Sequence, residues 1–312
     1  MEAASTLLWM SKPSGGDSAM AQGGFYCYLA TPFDAAGDVD LGQLAEYVSE
    51  MLTFDLAGLT CMASTCEGPY LTDAEWRLAL ETVGKIAGGR SLLNVGVGAY
   101  STRQAVENAK RAKDAGATSL MVEMPQYYPV QFEDVFRHYA AIAEQVDLPI
   151  RLYNLTLPTR FDFTPDRLRK IAEISRIDSV KEASGEVSRL EDIRIECSDR
   201  FALFCGFHFQ LLDGLRLGAD GWEVMMHPLI AARLTRLYAT LKKDPWSRAG
   251  ETMFRELAPL FEFFRRNGVP QSIKAMSEWS SMRFGSPRSP QRSLNDAERR
   301  QLRQILQVSG VL

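Results

Sequence analysis

Short runs of apolar and β-branched residues punctuate the chain at intervals of roughly 20 to 35 residues, as a repeated strand–helix unit would produce. The runs are Phe25–Ala30, Gly58–Ala63, Leu92–Val97, Ser119–Met124, Pro149–Tyr153, Ile177–Lys181, Phe201–Gly206 and Gly221–Met226. Their near-continuous apolarity marks strands buried on both faces, and the segments between them carry helical patterning. Eight buried strands alternating with helices predict an α/β protein whose parallel sheet closes on itself, a (β/α)8 or TIM barrel.

The helix starts are written in the sequence. Thr72-Asp-Ala-Glu75 and Ser101-Thr-Arg-Gln104 have the form of capping boxes, and Thr164-Pro165 sets a cap before a proline at the first helical position. Gly116 and Gly218 supply left-handed stops ahead of the next strand. Beyond Pro228 the β pattern ceases. One more helix completes a barrel over residues 24–245, and residues 246–312 form a C-terminal helical extension whose last helix is capped by Asn295-Asp-Ala-Glu298. Phe284–Ser293, with two prolines and a glycine, reads as an irregular linker.

Composition narrows the function. A chain of 312 residues suits one barrel, and 46% apolar residues are enough to fill its core. A net charge of −4 argues against a nucleic-acid partner. No apolar run approaches the roughly 20 residues that span a bilayer. Residues 1–23 are small, polar and Gly/Ser-rich, and read as a disordered extension. The apolar piece Leu7–Met10 is too short for a signal peptide, so Met20 is an alternative start. Five cysteines without a CxxC pair or a Cys/His cluster give neither a disulfide framework nor a metal site, and fit a reducing cytoplasm.

In such barrels, reactive groups sit at the C-terminal ends of the strands. There the chain offers Ser64 and Thr65, Tyr127 and Tyr128, Tyr153, Lys181, His208, and Glu223 with His227. Lys181 is the informative one. In water, about one amine in a few thousand is neutral at pH 7; burial disfavours the ammonium and creates a nucleophile for a ketone. The bland alternative is a lysine snorkelling to solvent. Tyr153, one strand away, is placed to move the protons of Schiff-base formation, and the Ser64-Thr65 amides and hydroxyls to hold a carboxylate. Alternation puts Trp222 under a helix and turns Glu223 inward, where it meets substrate or is a salt-bridged part of the wall. His208 and His227 show no metal-ligand spacing.

Lys181-Glu-Ala-Ser-Gly185, Leu152-Tyr-Asn154, Thr31-Pro-Phe33, Ser64-Thr-Cys-Glu67, Pro125-Gln-Tyr-Tyr-Pro129, Gly218-Ala-Asp-Gly221 and Gly268-Val-Pro-Gln-Ser-Ile-Lys274 are spread over the whole barrel. Together they resemble the dihydrodipicolinate synthase / N-acetylneuraminate lyase family. The resemblance implies a Schiff base at Lys181, a proton relay of Tyr153, Ser64 and Tyr127 (selected over Tyr128 by ungapped counting), and a carboxylate site at Ser64 and Thr65. It also implies a homotetramer. Cys66 replaces a family glycine, Pro158 stands where the lysine-pathway synthases carry an arginine for the second substrate, and Arg160 falls on a usual glycine.

The expected activity is therefore aldol cleavage, condensation or dehydration of a pyruvate-like 2-oxo acid through an iminium, without metal or organic cofactor. Glu223 is the expected contact to the distal part of the substrate. A true 4-hydroxy-tetrahydrodipicolinate synthase is the alternative within the class, and a catalytically silent binding barrel the alternative outside it.

Overall fold

The structure, a computed structural model, describes residues 23–124 and 126–312. The extension expected over 1–23 falls, apart from Gly23, outside the described residues. Eight parallel strands, β1 (Gly24–Tyr28), β2 (Gly58–Cys61), β3 (Leu92–Gly96), β4 (Ser119–Val122), β5 (Ile150–Asn154), β6 (Ile177–Glu182), β7 (Ala202–Cys205) and β8 (Gly221–Met225), pair in sequence order. β8 closes the barrel on β1, with Tyr26 opposite Glu223. Every expected strand is present. Several end short of the apolar run, because Leu29, Ala30, Val97 and Met124 are buried coil that carries the chain over the barrel mouth.

Around the barrel lie α1 (Leu41–Met51), α2 (Asp73–Ala87), α3 (Thr102–Asp114), α4 (Phe132–Gln145), α5 (Thr156–Thr159), α6 (Pro165–Ile171), α7 (Arg189–Cys197), α8 (Leu211–Arg216) and α9 (Pro228–Lys243). The capping box at Thr72 and Glu75 is reciprocal. At Ser101 only half forms: its hydroxyl accepts from the Gln104 amide, but the Gln104 side chain turns to Asn108. Thr164 makes no side-chain cap, and Pro165 alone starts α6. Gly116 and Gly218 both take φ of +88°, the left-handed stops expected of them.

Strand alternation sorts the side chains into two shells. Trp222 faces the helices, stacked on Phe25 at 4.6 Å. Inside the barrel, all eight strands build one polar floor. Thr60 Oγ1 and Asn94 Nδ2 donate to Glu223, Ser119 Oγ donates to Asn94, and Arg151 pairs with Glu223 at 2.8 Å. The Arg151 guanidinium also bonds Ser179 and lies over the Tyr26 and Phe204 rings. Two residues further along their strands, Tyr28, Tyr153 and Lys181 form the next layer up.

After α9, the chain continues as α10 (Arg248–Asn267), α11 (Val269–Ala275) and α12 (Asp296–Val308). α11 returns to the mouth, where Lys274 Nζ meets Glu67 at 2.5 Å with both side chains buried. Residues 284–293 are irregular, as expected, but act as a strap. The Arg288 amide donates to Glu67, and its guanidinium forms a two-pronged pair with Glu75. The C-terminal region thus pins the loop after β2. Among the described residues, no helix is long and apolar enough to cross a membrane.

Candidate active site

Lys181 lies on β6 with only 2% of its surface exposed. Its Nζ sits 3.8 Å from the centroid of the Tyr28 ring and 4.1 Å from that of Tyr153. The ring faces attract a cation, but desolvation outweighs them: burial pulls the amine down to about 8, against an opposing pull from Glu223. About one tenth of the amine is then neutral at pH 7, a few hundred times more than in water.

The adjoining residues aim it. Asn154 and Glu182 alternate with Tyr153 and Lys181 on paired strands, so they turn to the other face. There Asn154 Nδ2 donates to Glu182 at 2.8 Å, the Ser184 amide donates to Glu182 at 2.6 Å, and the Phe163 amide donates to Asn154. This clamp ties together the loops that follow β5 and β6. The Lys-Glu and Tyr-Asn pairs in the sequence are thus one residue turned to the barrel interior and one anchoring residue each.

Tyr153 pairs with Lys181 across the sheet, and burial raises its phenol above the ordinary range, helped by the charges of Glu123 and Glu223. Ser64 and Thr65 lie half-buried in the 3-10 turn after β2. Ser64 Oγ has no hydrogen-bond partner among the described residues, yet stands close enough to favour ionised Tyr153. Cys66 needs no left-handed backbone, because Met62 and Glu67 take it instead, at φ 60° and 63°. Gly68 closes the turn where a Cβ would come within 1.9 Å of the Met62 carbonyl oxygen. The loss of the family glycine is absorbed by its neighbours.

The geometry corrects the expectation for Glu223 and places Tyr127 apart from Lys181. Glu223 does face inward, but it is not presented to a substrate. It is fully buried in the floor below Lys181, with its oxygens committed to Arg151, Thr60 and Asn94. The cation a buried carboxylate requires is Arg151, whose charge inside an apolar strand was the overlooked signal. Tyr127 is not gathered with Lys181 and Tyr153. It is 76% exposed and packs edge-on to Tyr128 at 5.0 Å.

Neither loop histidine faces the chemistry. His208 is buried among Trp222, Phe261 and Phe264 and bonds the Met225 carbonyl, and His227 caps α9 by accepting from the Leu229 amide. Pro158 and Arg160 are exposed around α5.

One residue of the mouth was passed over. Glu123 follows β4, on the face of Ser119 and Met121, and is 5% exposed. Burial raises its carboxyl to about 7, opposed by its own and the Ser64 backbone amides and by Lys181. The same alternation that singled out Glu223 points to it in Leu120-Met-Val-Glu123.

With this geometry in place, the comparisons with known proteins decide the kinship. Residues 21–309 match the model of the dihydrodipicolinate synthetase family. The chain belongs to that family. It is 30% identical over 263 residues to a 4-hydroxy-tetrahydrodipicolinate synthase of Exiguobacterium sibiricum, covering 84% of this chain and 89% of that protein. A 4-hydroxy-tetrahydrodipicolinate synthase of Prochlorococcus marinus is 31% identical over 282 residues, covering 89% and 93%. Among solved structures, the dihydrodipicolinate synthase of Agrobacterium tumefaciens superposes with a TM-score of 0.87 at 28% identity, covering 94% of this chain and all of that one. The chain is accordingly a lyase of the class I, Schiff-base-forming type.

Proposed function

We propose that Lys181 is the covalent nucleophile and that it takes a pyruvate-like 2-oxo acid. The neutral amine adds to the ketone to give a carbinolamine. Loss of water gives an iminium, which withdraws electrons from the adjacent carbon so that a C–C or C–O bond forms or breaks there. The iminium is itself the electron sink, so the scheme needs no cofactor. Tyr153 moves protons beside Lys181, with the Ser64 hydroxyl as its neighbour, and the Ser64-Thr65 turn receives the substrate carboxylate. The observation that carries this reading is the burial of Lys181 at a strand end, with its amine brought to about 8. Borohydride reduction with a panel of 2-oxo acids tests it and reports which acids enter.

Activity as a 4-hydroxy-tetrahydrodipicolinate synthase is favoured by the names of the relatives. Against it stands Pro158 where those enzymes, by the family resemblance, carry an arginine. A direct assay for 4-hydroxy-tetrahydrodipicolinate formation separates the two readings.

The same resemblance supports a homotetramer. Tyr100, Tyr127 and Tyr128 stand exposed together beside the barrel mouth, as a surface covered by another copy would. A relay role for Tyr127 requires that covering, or a movement of its loop. Five unpaired cysteines suit the reducing cytoplasm. Light scattering of the purified protein gives the assembly state.

A further inference from the structure

We propose that Glu123 is a further catalytic residue, the acid that protonates the departing hydroxyl of the carbinolamine on Lys181. The inference rests on the Schiff-base reading of Lys181 and deepens it.

Placement is the first support. Val122 pairs with Leu152, so the residue after it comes alongside Tyr153, which in turn pairs with Lys181. Three side chains thus rise at one height from the ends of three consecutive strands. Room has been made for the carboxyl. A Cβ on Gly98 would lie 2.6 Å from Glu123 Cγ and 2.9 Å from its Cδ, so only glycine after β3 leaves that space.

The second support is what Glu123 lacks. Glu223 has Arg151, Glu67 has Lys274 and the Arg288 amide, and Glu182 has Asn154 and the Ser184 amide. Glu123 meets only backbone amides, its own and that of Ser64; it has no ion pair among the described residues, and its Oε2 is buried without a hydrogen-bond partner among them. A buried carboxylate left unpaired is costly, so the group carries a proton near neutrality, at about 7. Tyr153, its phenol displaced away from neutral pH, is the weaker acid of the two and serves the remaining proton transfers.

The step balances. Glu123 gives its proton to the carbinolamine oxygen and the C–O bond breaks. The nitrogen lone pair forms C=N, water leaves, and the resulting carboxylate faces the new iminium cation. A protonated Glu123 also avoids repelling the substrate carboxylate at the Ser64 turn, against which it lies.

The groups around Glu123 and Lys181 are Glu223 on β8, Tyr28 on β1, Tyr153 on β5, Tyr139 on α4 and, beside Lys181, Cys66 in the loop after β2. Burial keeps the three phenols and the thiol neutral well past neutrality, and Glu223 is held by Arg151. Lys181 and Glu123 are left to shape the pH profile. Lys181 must be neutral and Glu123 protonated, which gives a bell centred between about 7 and about 8.

The test is the rate of borohydride-trapped pyruvate adduct across pH. Glu123→Gln should slow trapping at neutral pH by about 10²-fold or more and lose the alkaline fall while keeping the acid limb. Gly98→Ala, which crowds the Glu123 carboxyl, should slow trapping in the same direction. Wild-type rates in Glu123→Gln, or a retained alkaline fall, overturn the inference and leave Lys181 standing. If the unaltered protein traps no 2-oxo acid, both readings fall.

Discussion

Replacing Glu223 with Gln separates a structural carboxylate from one that meets substrate. Both side chains of the Arg151–Glu223 pair are fully buried and lie 2.8 Å apart. The substitution keeps the shape and a hydrogen-bond acceptor for Thr60 and Asn94, but leaves a guanidinium that cannot shed its charge. Breaking one side of such a pair costs about 3 to 5 kcal/mol. At about 2.1 cal/mol/K of unfolding entropy per residue, a folded chain of roughly 290 residues loses about 1.6 °C per kcal/mol, so the melting temperature should fall by about 5 to 8 °C. The chemistry should move the other way. Glu223 raises the Lys181 pKa and Arg151 lowers it, so removing the anion shifts the amine below about 8. The acid limb of pyruvate trapping should therefore shift to lower pH. Trapping at pH 7 should hold or rise, by at most about tenfold, because about one tenth of the amine is already neutral there. Calorimetry and a pH series of borohydride trapping measure the two effects. A variant as stable as the parent, or an acid limb displaced upward, refutes the reasoning. Adding Arg151→Met should recover part of the lost stability, since two apolar or neutral partners strand no charge.

Tyr153→Phe should leave the fold intact and slow turnover by about 10²- to 10⁴-fold with a competent 2-oxo acid, and a loss under about threefold would make Tyr153 a packing residue. Lys274→Met strands Glu67 at the loop after β2 and should cost about 3 to 5 kcal/mol, read as a lower melting temperature. It should also raise the KM for 2-oxo acids by loosening the Ser64-Thr65 turn; an unchanged KM would detach that turn from carboxylate binding.

The barrel was legible because its strands are short, apolar and regularly spaced, and because glycines such as Gly116 and Gly218 can hardly serve any other purpose than stopping a helix. The inward placement of Lys181 and Tyr153 was legible because a polar residue closing an apolar strand has few places to go. Partnership was not legible. That Glu223 would face inward followed from alternation, but which cation would meet it depended on Arg151, 72 positions earlier and three strands away round the barrel. Sequence spacing carries no such distance. The same holds for Glu67 and Lys274, which are brought together only when α11 folds back over the mouth. Residues 284–293 read as a linker because prolines and a glycine suppress regular structure, yet irregular backbone holds Arg288 against Glu75 and Glu67. Tyr127 was assigned to the relay by resemblance, and its exposure follows from a loop whose direction no local pattern encodes.

The central claim is that Lys181 alone becomes covalently bonded to a 2-oxo acid. Intact-mass measurement after pyruvate and borohydride, followed by peptide mapping, tests it most directly. The account predicts one reduced pyruvyl group per chain, carried on Lys181 and absent from Lys181→Ala. An adduct on any other lysine, or none with any 2-oxo acid offered, would contradict it.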